Sequence, residues 1–169
     1  SLRFRKGLTI GEDMLFLVDL LLQIKALAEV DYKGYGYFRN PKGAMGRAFR
    51  PDYMDQISCW EIAREKTEDI AALAKVCQAD RLAQMKCQVT VLLIMAIMLT
   101  AGKIARLSGR ERKKQAEYIG ICRDKIRKEL QASGAYNMLP LGYKVKAKLF
   151  AGAPAAYLWL YHFRSERKQ

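Results

Sequence analysis

Lysine and arginine are the residues with the clearest chemical potential in this chain. They number 30 among 169 residues, against 17 acidic residues, so the formal net charge is +13 at pH 7. Ten basic and three acidic residues lie in 103–128, and six basic and one acidic residue lie in 143–169. Such an imbalance favours an anionic partner: nucleic acid, acidic lipid, or an acidic or sulfated glycoprotein.

The basic residues of 103–128 recur at helical spacing and predict one cationic helix face. Like charges three or four residues apart destabilise a helix, and few acidic residues relieve them here. We therefore predict an anion-binding or membrane-binding surface, to which the C-terminal bases also belong. Its members are Lys103, Arg106, Arg110, Arg112, Lys113, Lys114, Arg123, Arg127, Lys128, Arg164, Arg167 and Lys168. The alternative is a charged face that is simply solvated.

Residues 89–101, VTVLLIMAIMLTA, are apolar except for two threonines. At about 1.5 Å per residue this helix would span about 20 Å, which is short of the roughly 30 Å bilayer core. The segment is therefore predicted to be either a buried core helix or a helix that meets lipid. In the second case it would join the aromatic C-terminal residues in an apolar insertion or dimer surface. That surface would comprise Leu92, Leu93, Met95, Ile97, Met98, Tyr157, Trp159, Tyr161 and Phe163.

No pattern typical of an enzyme occurs, and we expect neither catalysis nor a cofactor. Residues 101–104, AGKI, match a P-loop only in part, because Ile97 replaces its first glycine and no Ser or Thr follows Lys103. One histidine, His162, cannot complete a Cys/His zinc set, so no metal site is expected. The four cysteines are predicted to be buried thiols or, in a secreted chain, disulfide partners. They are Cys59, Cys77, Cys87 and Cys122.

The elements that position these residues are predicted to be helices. We expect an all-α, single-domain bundle of about five helices over 1–169, with a basic arm at 1–8. A central, largely buried helix is predicted over 10–30, because it is apolar nearly all round and Thr9 with Glu12 has capping-box spacing. Residues 53–101 lack Gly and Pro and predict one or two further helices, with a break near Thr67 or near 78–80 and with Asp52 as cap.

The second half is predicted to contain one more helix and then an irregular tail. Ser108 and Glu111 form a capping box that opens a helix over 109–133, and Gly134 is its expected stop. Residues 134–169, interrupted by Gly and Pro, are predicted to form an irregular aromatic and basic tail. The acidic stretch 51–80 is expected to pack near a basic helix and to neutralise part of it.

Residues 31–52 combine four glycines and two prolines with interleaved aromatic and basic residues. The glycines and prolines predict a loop. Aromatic rings among Arg and Lys can stack on bases or hold an acidic partner. The alternative is a loop whose rings pack over the domain.

Residues 21–39, LLQIKALAEVDYKGYGYFR, resemble the first long helix of the gastropod sperm lysins. Residues 101–110, AGKIARLSGR, are similar to the end of a later lysin helix and its turn. Residues 116–120, AEYIG, and 137–140, NMLP, are similar to parts of the last lysin helices and the start of the tail. The resemblance implies a small, basic, helical protein released by sperm from the acrosomal vesicle at the egg surface. Lysins open the egg vitelline envelope without cleavage, by binding its glycoprotein receptor; their fusagenic abalone relative acts in membrane fusion.

The resemblance leaves a choice between two roles at the egg. Three features depart from lysin: the four cysteines, the longer segment before 89–101, and the more apolar character of 89–101. The apolar character of 89–101 favours the fusagenic branch. The expected function is therefore that of a secreted acrosomal protein that binds and destabilises the egg membrane. The first alternative is lysin-like opening of the egg coat, with the apolar surface forming a homodimer. The second is an intracellular nucleic-acid-binding subunit that uses residues 32–50.

Overall fold

The structure, a computed structural model, describes residues 2–36, 38, 40, 43, 46–73, 79–132 and 134–166, without the side chains of 68–73, 132 and 164–166. It is all-helical, which confirms the predicted class. Its helices are α1 Glu12–Leu21, α2 Asp55–Leu73, α3 Ala79–Ala105, α4 Gly109–Lys113, α5 Ala116–Ala132, α6 Ala135–Met138, α7 Leu141–Gly152 and α8 Pro154–Glu166. These eight exceed the expected number of about five, because the second half contains four short helices beyond the expected one.

Helix α3 lies at the centre of the fold. It packs against α2, α5, α6, α7 and α8, and its side chains Leu93, Ile94 and Ile97 are completely buried. The buried Thr100 hydroxyl accepts a hydrogen bond from Gln56 Nε2 at 2.8 Å and donates to its own helix at the Ala96 carbonyl, 3.0 Å away. Residues 89–101 are therefore a core helix, the first of the two predicted alternatives.

Helix α1 is shorter and more peripheral than the sequence predicted. It ends at Leu21, and Leu15 is its one buried residue. The predicted central helix over 10–30 is wrong, because α3 occupies the centre and leaves only one side of α1 to be covered. The predicted Thr9 cap is also wrong, because the N-cap of α1 lies two residues later and makes no side-chain hydrogen bond. The Thr9 backbone N–H donates to Asp55 Oδ2 at 2.8 Å. Gly11 begins α1 instead, at a left-handed φ of 95° that favours glycine.

The single helix predicted over 109–133 is wrong, because a turn at residues 114–115 divides it into α4 and α5. Its predicted start is confirmed. Ser108 Oγ accepts the backbone N–H of Glu111 at 3.3 Å, which is the predicted cap. Thr67 lies inside α2, so the predicted break there is wrong. Asp52 does not cap α2, because a 3₁₀ turn, Pro51–Met54, precedes that helix. The alternative break near 78–80 borders residues 74–78, which lie outside the described residues; α3 is described from Ala79.

The C-terminal region is helical, so the predicted irregular tail is wrong. Pro140 is the N-cap of α7 and Pro154 is the first residue of α8. Proline fits both positions, because a backbone N–H there would have no partner within the helix. Helix α5 ends at Ala132, which agrees with the predicted stop before Gly134. Gly134 itself has a right-handed φ of −60° and is the N-cap of α6, so it is not a left-handed C-terminal cap. We call α7 and α8 together the α7–α8 hairpin, residues 141–166.

The α7–α8 hairpin is antiparallel. The Phe150 and Tyr157 rings lie 5.1 Å apart across its connection. Farther along, the Lys146 ammonium lies 5.7 Å from the Tyr161 ring. These two pairs fix the register, which sets Lys148 level with Trp159 along the helix axes.

Replacing the buried Ile97 by Ala is expected to lower the free energy of unfolding by about 2–5 kcal/mol, because it leaves a cavity in the core. Leu99→Ala is the matched control on the same helix. Leu99 is 45% exposed, so its truncation is expected to cost about 1 kcal/mol. Urea denaturation followed by circular dichroism measures both values. Equal losses in the two variants would contradict the position of α3 in the core.

Candidate anion-binding and membrane-binding surface

Three arginines of the predicted cationic face bind the C-terminal ends of helices. Arg112 Nη1 donates to the Ala105 carbonyl at 3.1 Å. The Nε atoms of Arg123 and Arg127 donate to the Ala151 carbonyl at 3.3 and 3.0 Å. A positive charge is stabilised there, because the last carbonyls of a helix lack partners and carry its negative dipole end. These arginines thus join α4 to α3 and α5 to α7.

The acidic helix α2 neutralises part of the basic helix α5, as the charge distribution predicted. Lys125 of α5 forms an ion pair with Glu61. In the opposite direction, Arg64 Nη1 of α2 lies 2.6 Å from Oε2 of the buried Glu129. Cys122 of α5 is buried in the core, which agrees with the prediction of a buried thiol. These ion pairs leave fewer cations on α5 than its sequence implies.

The other predicted bases differ in their surroundings. Arg110, Lys113 and Lys128 are exposed and make no ion pair with a described residue. Lys114 pairs on the surface with Glu111 at 3.0 Å. The predicted cationic face is therefore not continuous.

Two of the predicted bases lie over aromatic rings, and three lie at the edge of the described chain. The Lys103 ammonium lies 5.1 Å from the Tyr53 ring and donates to the Arg47 carbonyl at 2.7 Å. Burial, and then the charge of Arg106, lowers the pKa of Lys103. Arg106 lies 5.7 Å from the Tyr161 ring. The side chain of Arg164 and the whole of Arg167 and Lys168 lie outside the described residues.

Helix α7 carries a group of cations that the predicted site residues omitted. The ammonium groups of Lys144 and Lys148 lie 5.7 and 4.7 Å from the Tyr136 ring. The ammonium of Lys146 lies 5.3 Å from the Tyr143 ring. The alternation of Lys and apolar residues over 143–149 was a usable signal, but the expected irregular tail concealed its helical arrangement.

The exposed faces of the α7–α8 hairpin are apolar. Leu141 of α7 is 77% exposed and Trp159 of α8 is 62% exposed. The Trp159 ring stacks on Phe163 with centroids 5.8 Å apart. No acidic residue occurs from 130 to 165. Exposed aromatic and aliphatic side chains beside lysines are typical of a helix at a membrane–water interface.

The predicted apolar insertion surface is divided between the core and the exterior. Four of its nine members are buried, because α3 and α8 turn them towards other helices: Leu93, Ile97, Met98 and Tyr157. Two are half-buried, Met95 and Tyr161, and three are exposed, Leu92, Trp159 and Phe163. The prediction that all nine share one surface is therefore wrong.

Within the described residues, α3 is the one helix long and apolar enough to cross a bilayer. However, 56% of its most apolar window is buried inside the fold. A core helix passes the same test of length and composition, so this is weak evidence for a membrane span.

The aromatic rings at the start of the 31–52 loop are exposed. Tyr32, Tyr35 and Phe38 are 80%, 84% and 85% exposed, so the alternative in which they pack over the domain is wrong. Phe49, at the end of the loop, is buried beside Tyr118 at a centroid distance of 5.5 Å. Six loop residues lie outside the described residues, among them Tyr37, Arg39 and Lys42.

The described cysteines are free thiols, two of them buried. Burial raises the pKa of Cys59 to about 11, with a further rise from the carboxylates of Asp55 and Glu12. Burial also raises the pKa of Cys122 to about 12. A protonated thiol is a poor nucleophile and a poor metal ligand. The described part of the chain contains no group of three His, Cys, Asp or Glu side chains that could hold a metal ion. Cys77 lies outside the description.

Comparison with protein families finds no family model that matches this chain. Comparisons with curated proteins and with solved structures find no significant match either.

Thiol reactivity provides a test of this burial. In a Cys77→Ser background, we expect the half-buried Cys87 to react first with Ellman's reagent at about pH 8, because Cys59 and Cys122 remain protonated. Their folded pKa values lie above the ordinary 9.0. As the pH rises above about 9, the unfolded thiols ionise first, so the stability of the fold should decline. Cys59→Ala and Cys122→Ala variants assign the slow phases, and fast labelling of Cys122 in folded protein would contradict its burial.

Proposed function

We propose that this protein binds anionic membranes from the aqueous side through its α7–α8 hairpin and disturbs the outer leaflet there. One observation carries this proposal: the hairpin presents exposed apolar side chains beside lysines, in a stretch without acidic residues. Contiguous exposed apolar patches on a protein surface often mark binding sites for proteins or membranes.

Attraction and insertion are separate steps in this mechanism. Lysines 144, 146 and 148 attract the protein to acidic headgroups, at about 1 kcal/mol for each basic residue near the surface. Trp159, Phe163 and Leu141 then enter the boundary between headgroups and acyl chains, where a helix lies in the membrane plane. Insertion from one side expands a single leaflet, which strains the bilayer. Helix α3 stays within the protein throughout.

The biological setting follows from the resemblance to the gastropod sperm lysins and their fusagenic relative. We propose that the chain is secreted from the acrosomal vesicle and acts on the egg membrane. The α7–α8 hairpin supports the fusagenic role over lysin-like opening of the egg coat, because insertion into lipid uses its apolar residues as well as its charge. Glycoprotein binding would need only the exposed cations.

Vesicle binding tests the proposed function. Lys144→Gln with Lys148→Gln is expected to weaken binding to vesicles containing an anionic phospholipid by about 30-fold, since two charges leave the contact. Arg110→Gln with Lys113→Gln removes the same charge from α4 and should change the affinity less than about threefold. Flotation at fixed ionic strength measures both.

Trp159 reports insertion directly. Its fluorescence should shift to shorter wavelength on binding, and Trp159→Phe should abolish the shift because Trp60, the other tryptophan, packs against the core. Dye leakage from the same vesicles should fall strongly in the Lys144→Gln/Lys148→Gln variant and little in the Arg110→Gln/Lys113→Gln variant. Equal loss in the α4 and α7 double variants would indicate a diffuse charge effect and would refute the α7–α8 hairpin as the contact.

A second candidate, binding to single-stranded nucleic acid, is favoured by the exposed rings of Tyr32, Tyr35 and Phe38. Base–aromatic stacking contributes about 1–3 kcal/mol per base. If the loop binds RNA, Tyr32→Ala with Tyr35→Ala should weaken binding to a single-stranded oligonucleotide at least tenfold. Fluorescence anisotropy across a salt series measures this. Weak binding that depends on salt but not on these rings would exclude the loop as a nucleic-acid site.

A further inference from the structure

We propose that the junction of α3, α7 and α8 is an oxyanion site that binds a phosphate group, with Arg106 and Lys146 as its cations and the Tyr157 hydroxyl as a further donor. The proposal deepens the proposed function, on which it rests for a lipid headgroup as the source of the phosphate. The same chemistry would accept free phosphate, and the experiment below separates the two.

Two cations converge on one aromatic ring at this junction. The Arg106 guanidinium and the Lys146 ammonium each lie 5.7 Å from the Tyr161 ring. Gly102 allows the ring to approach α3 this closely, because a Cβ atom at residue 102 would lie 3.2 Å from the tyrosine hydroxyl. Gly102 and Arg106 of α3 and Lys146 of α7 thus all lie beside this ring.

No carboxylate on the three helices of the junction balances these charges. Acidic residues are absent from 81–110 and from 130–165, which include α3 beyond its second residue, all of α7 and α8 up to residue 165. The neighbouring α5 does not supply one either: Glu117 and Asp124 are exposed, and Glu129 is paired with Arg64. The charge of Arg106 also acts on Lys103. A bound anion would relieve this repulsion between like charges.

A buried hydroxyl without a partner lies at the same place. Tyr157 is 2% exposed, and its hydroxyl makes no hydrogen bond to any described residue. The Tyr157 ring lies 5.4 Å from the Tyr161 ring, which places Tyr157 at this junction. Burial raises the pKa of Tyr157. A buried polar group without a hydrogen bond is costly and calls for an explanation. A ligand oxygen that accepts from this hydroxyl would provide one.

A tetrahedral oxyanion such as phosphate fits these donors. A guanidinium offers two parallel N–H groups to two phosphate oxygens, and an ammonium binds a third as a point charge. The phenolic hydroxyl supplies a short donor to the same group. Arg106 is exposed and Lys146 is half-buried, so the site opens to solvent on one side and can admit a headgroup.

Calorimetric titration with inorganic phosphate, at constant ionic strength, tests the site. Arg106→Gln and Lys146→Gln should each weaken binding about tenfold or more, because each removes a charge-assisted hydrogen bond. Arg110→Gln and Lys128→Gln are matched controls that remove one exposed charge each and should change the affinity less than about twofold. Equal weakening in site and control variants, or no phosphate binding by the native chain, would overturn the proposal.

Tyr157→Phe gives an independent readout. Without phosphate the variant should melt higher by roughly 2–4 °C, because it removes a buried donor that has no partner. It should nevertheless bind phosphate more weakly than the native chain. A lower melting temperature combined with unchanged phosphate affinity would overturn the role of this hydroxyl.

Vesicles of equal surface charge, containing phosphatidic acid or phosphatidylglycerol, distinguish the source. Preference for phosphatidic acid that Arg106→Gln abolishes supports a lipid phosphate. If the Lys144/Lys148 double variant loses vesicle binding but Arg106→Gln keeps both vesicle binding and phosphate affinity, the proposed function stands and the site fails. If the native chain binds inorganic phosphate at the site but no vesicle, the site stands with free phosphate as ligand and the membrane function fails.

Discussion

The burial of α3 is the constraint on which the rest of the structure depends. A helix of 27 residues with an apolar middle cannot remain in water, so five other helices pack around it. Individual residues of α3 determine where these helices contact it. Gly102 admits the Tyr161 ring of α8, and Thr100 bonds to Gln56 of α2. The α7–α8 hairpin is thereby attached to the core through one side of each helix, and its other sides stay exposed.

The same packing decides which charges are free. Arginines that reach the C-terminal carbonyls of α3 and α7 serve to join helices, and α2 supplies carboxylates to α5. No acidic helix lies within the last third of the chain, so the lysines of α7 are accompanied by tyrosine rings instead of carboxylates. A cation over an aromatic ring keeps its full charge. On the α7–α8 hairpin, positive charge without carboxylate partners therefore lies beside exposed apolar side chains.

The sequence was sufficient to predict what depends on local pattern. The Ser108 cap needs only a hydroxyl three residues before Glu111. It could not predict which of two apolar stretches takes the centre, since 10–30 and 89–101 both appear buried by periodicity. Pro140 and Pro154 were interpreted as interruptions because a proline can end a helix or begin one. The lysine–tyrosine contacts of α7 depend on how α6, α7 and α8 pack, which no spacing within the sequence specifies.

Membrane contact through the α7–α8 hairpin also avoids an energetic difficulty of the alternative. Freeing α3 to meet lipid would first expose Leu93, Ile94 and Ile97 to water, at about 1.5–3 kcal/mol for each side chain. Together with the other residues packed on α3, this approaches the whole stability of a domain, about 5–15 kcal/mol. Release of α3 would therefore amount to unfolding before any lipid is reached. Trp159 and Phe163 are already exposed, so their insertion into lipid needs no unfolding. Each of these side chains leaves water as soon as it enters the membrane, which stabilises the bound state.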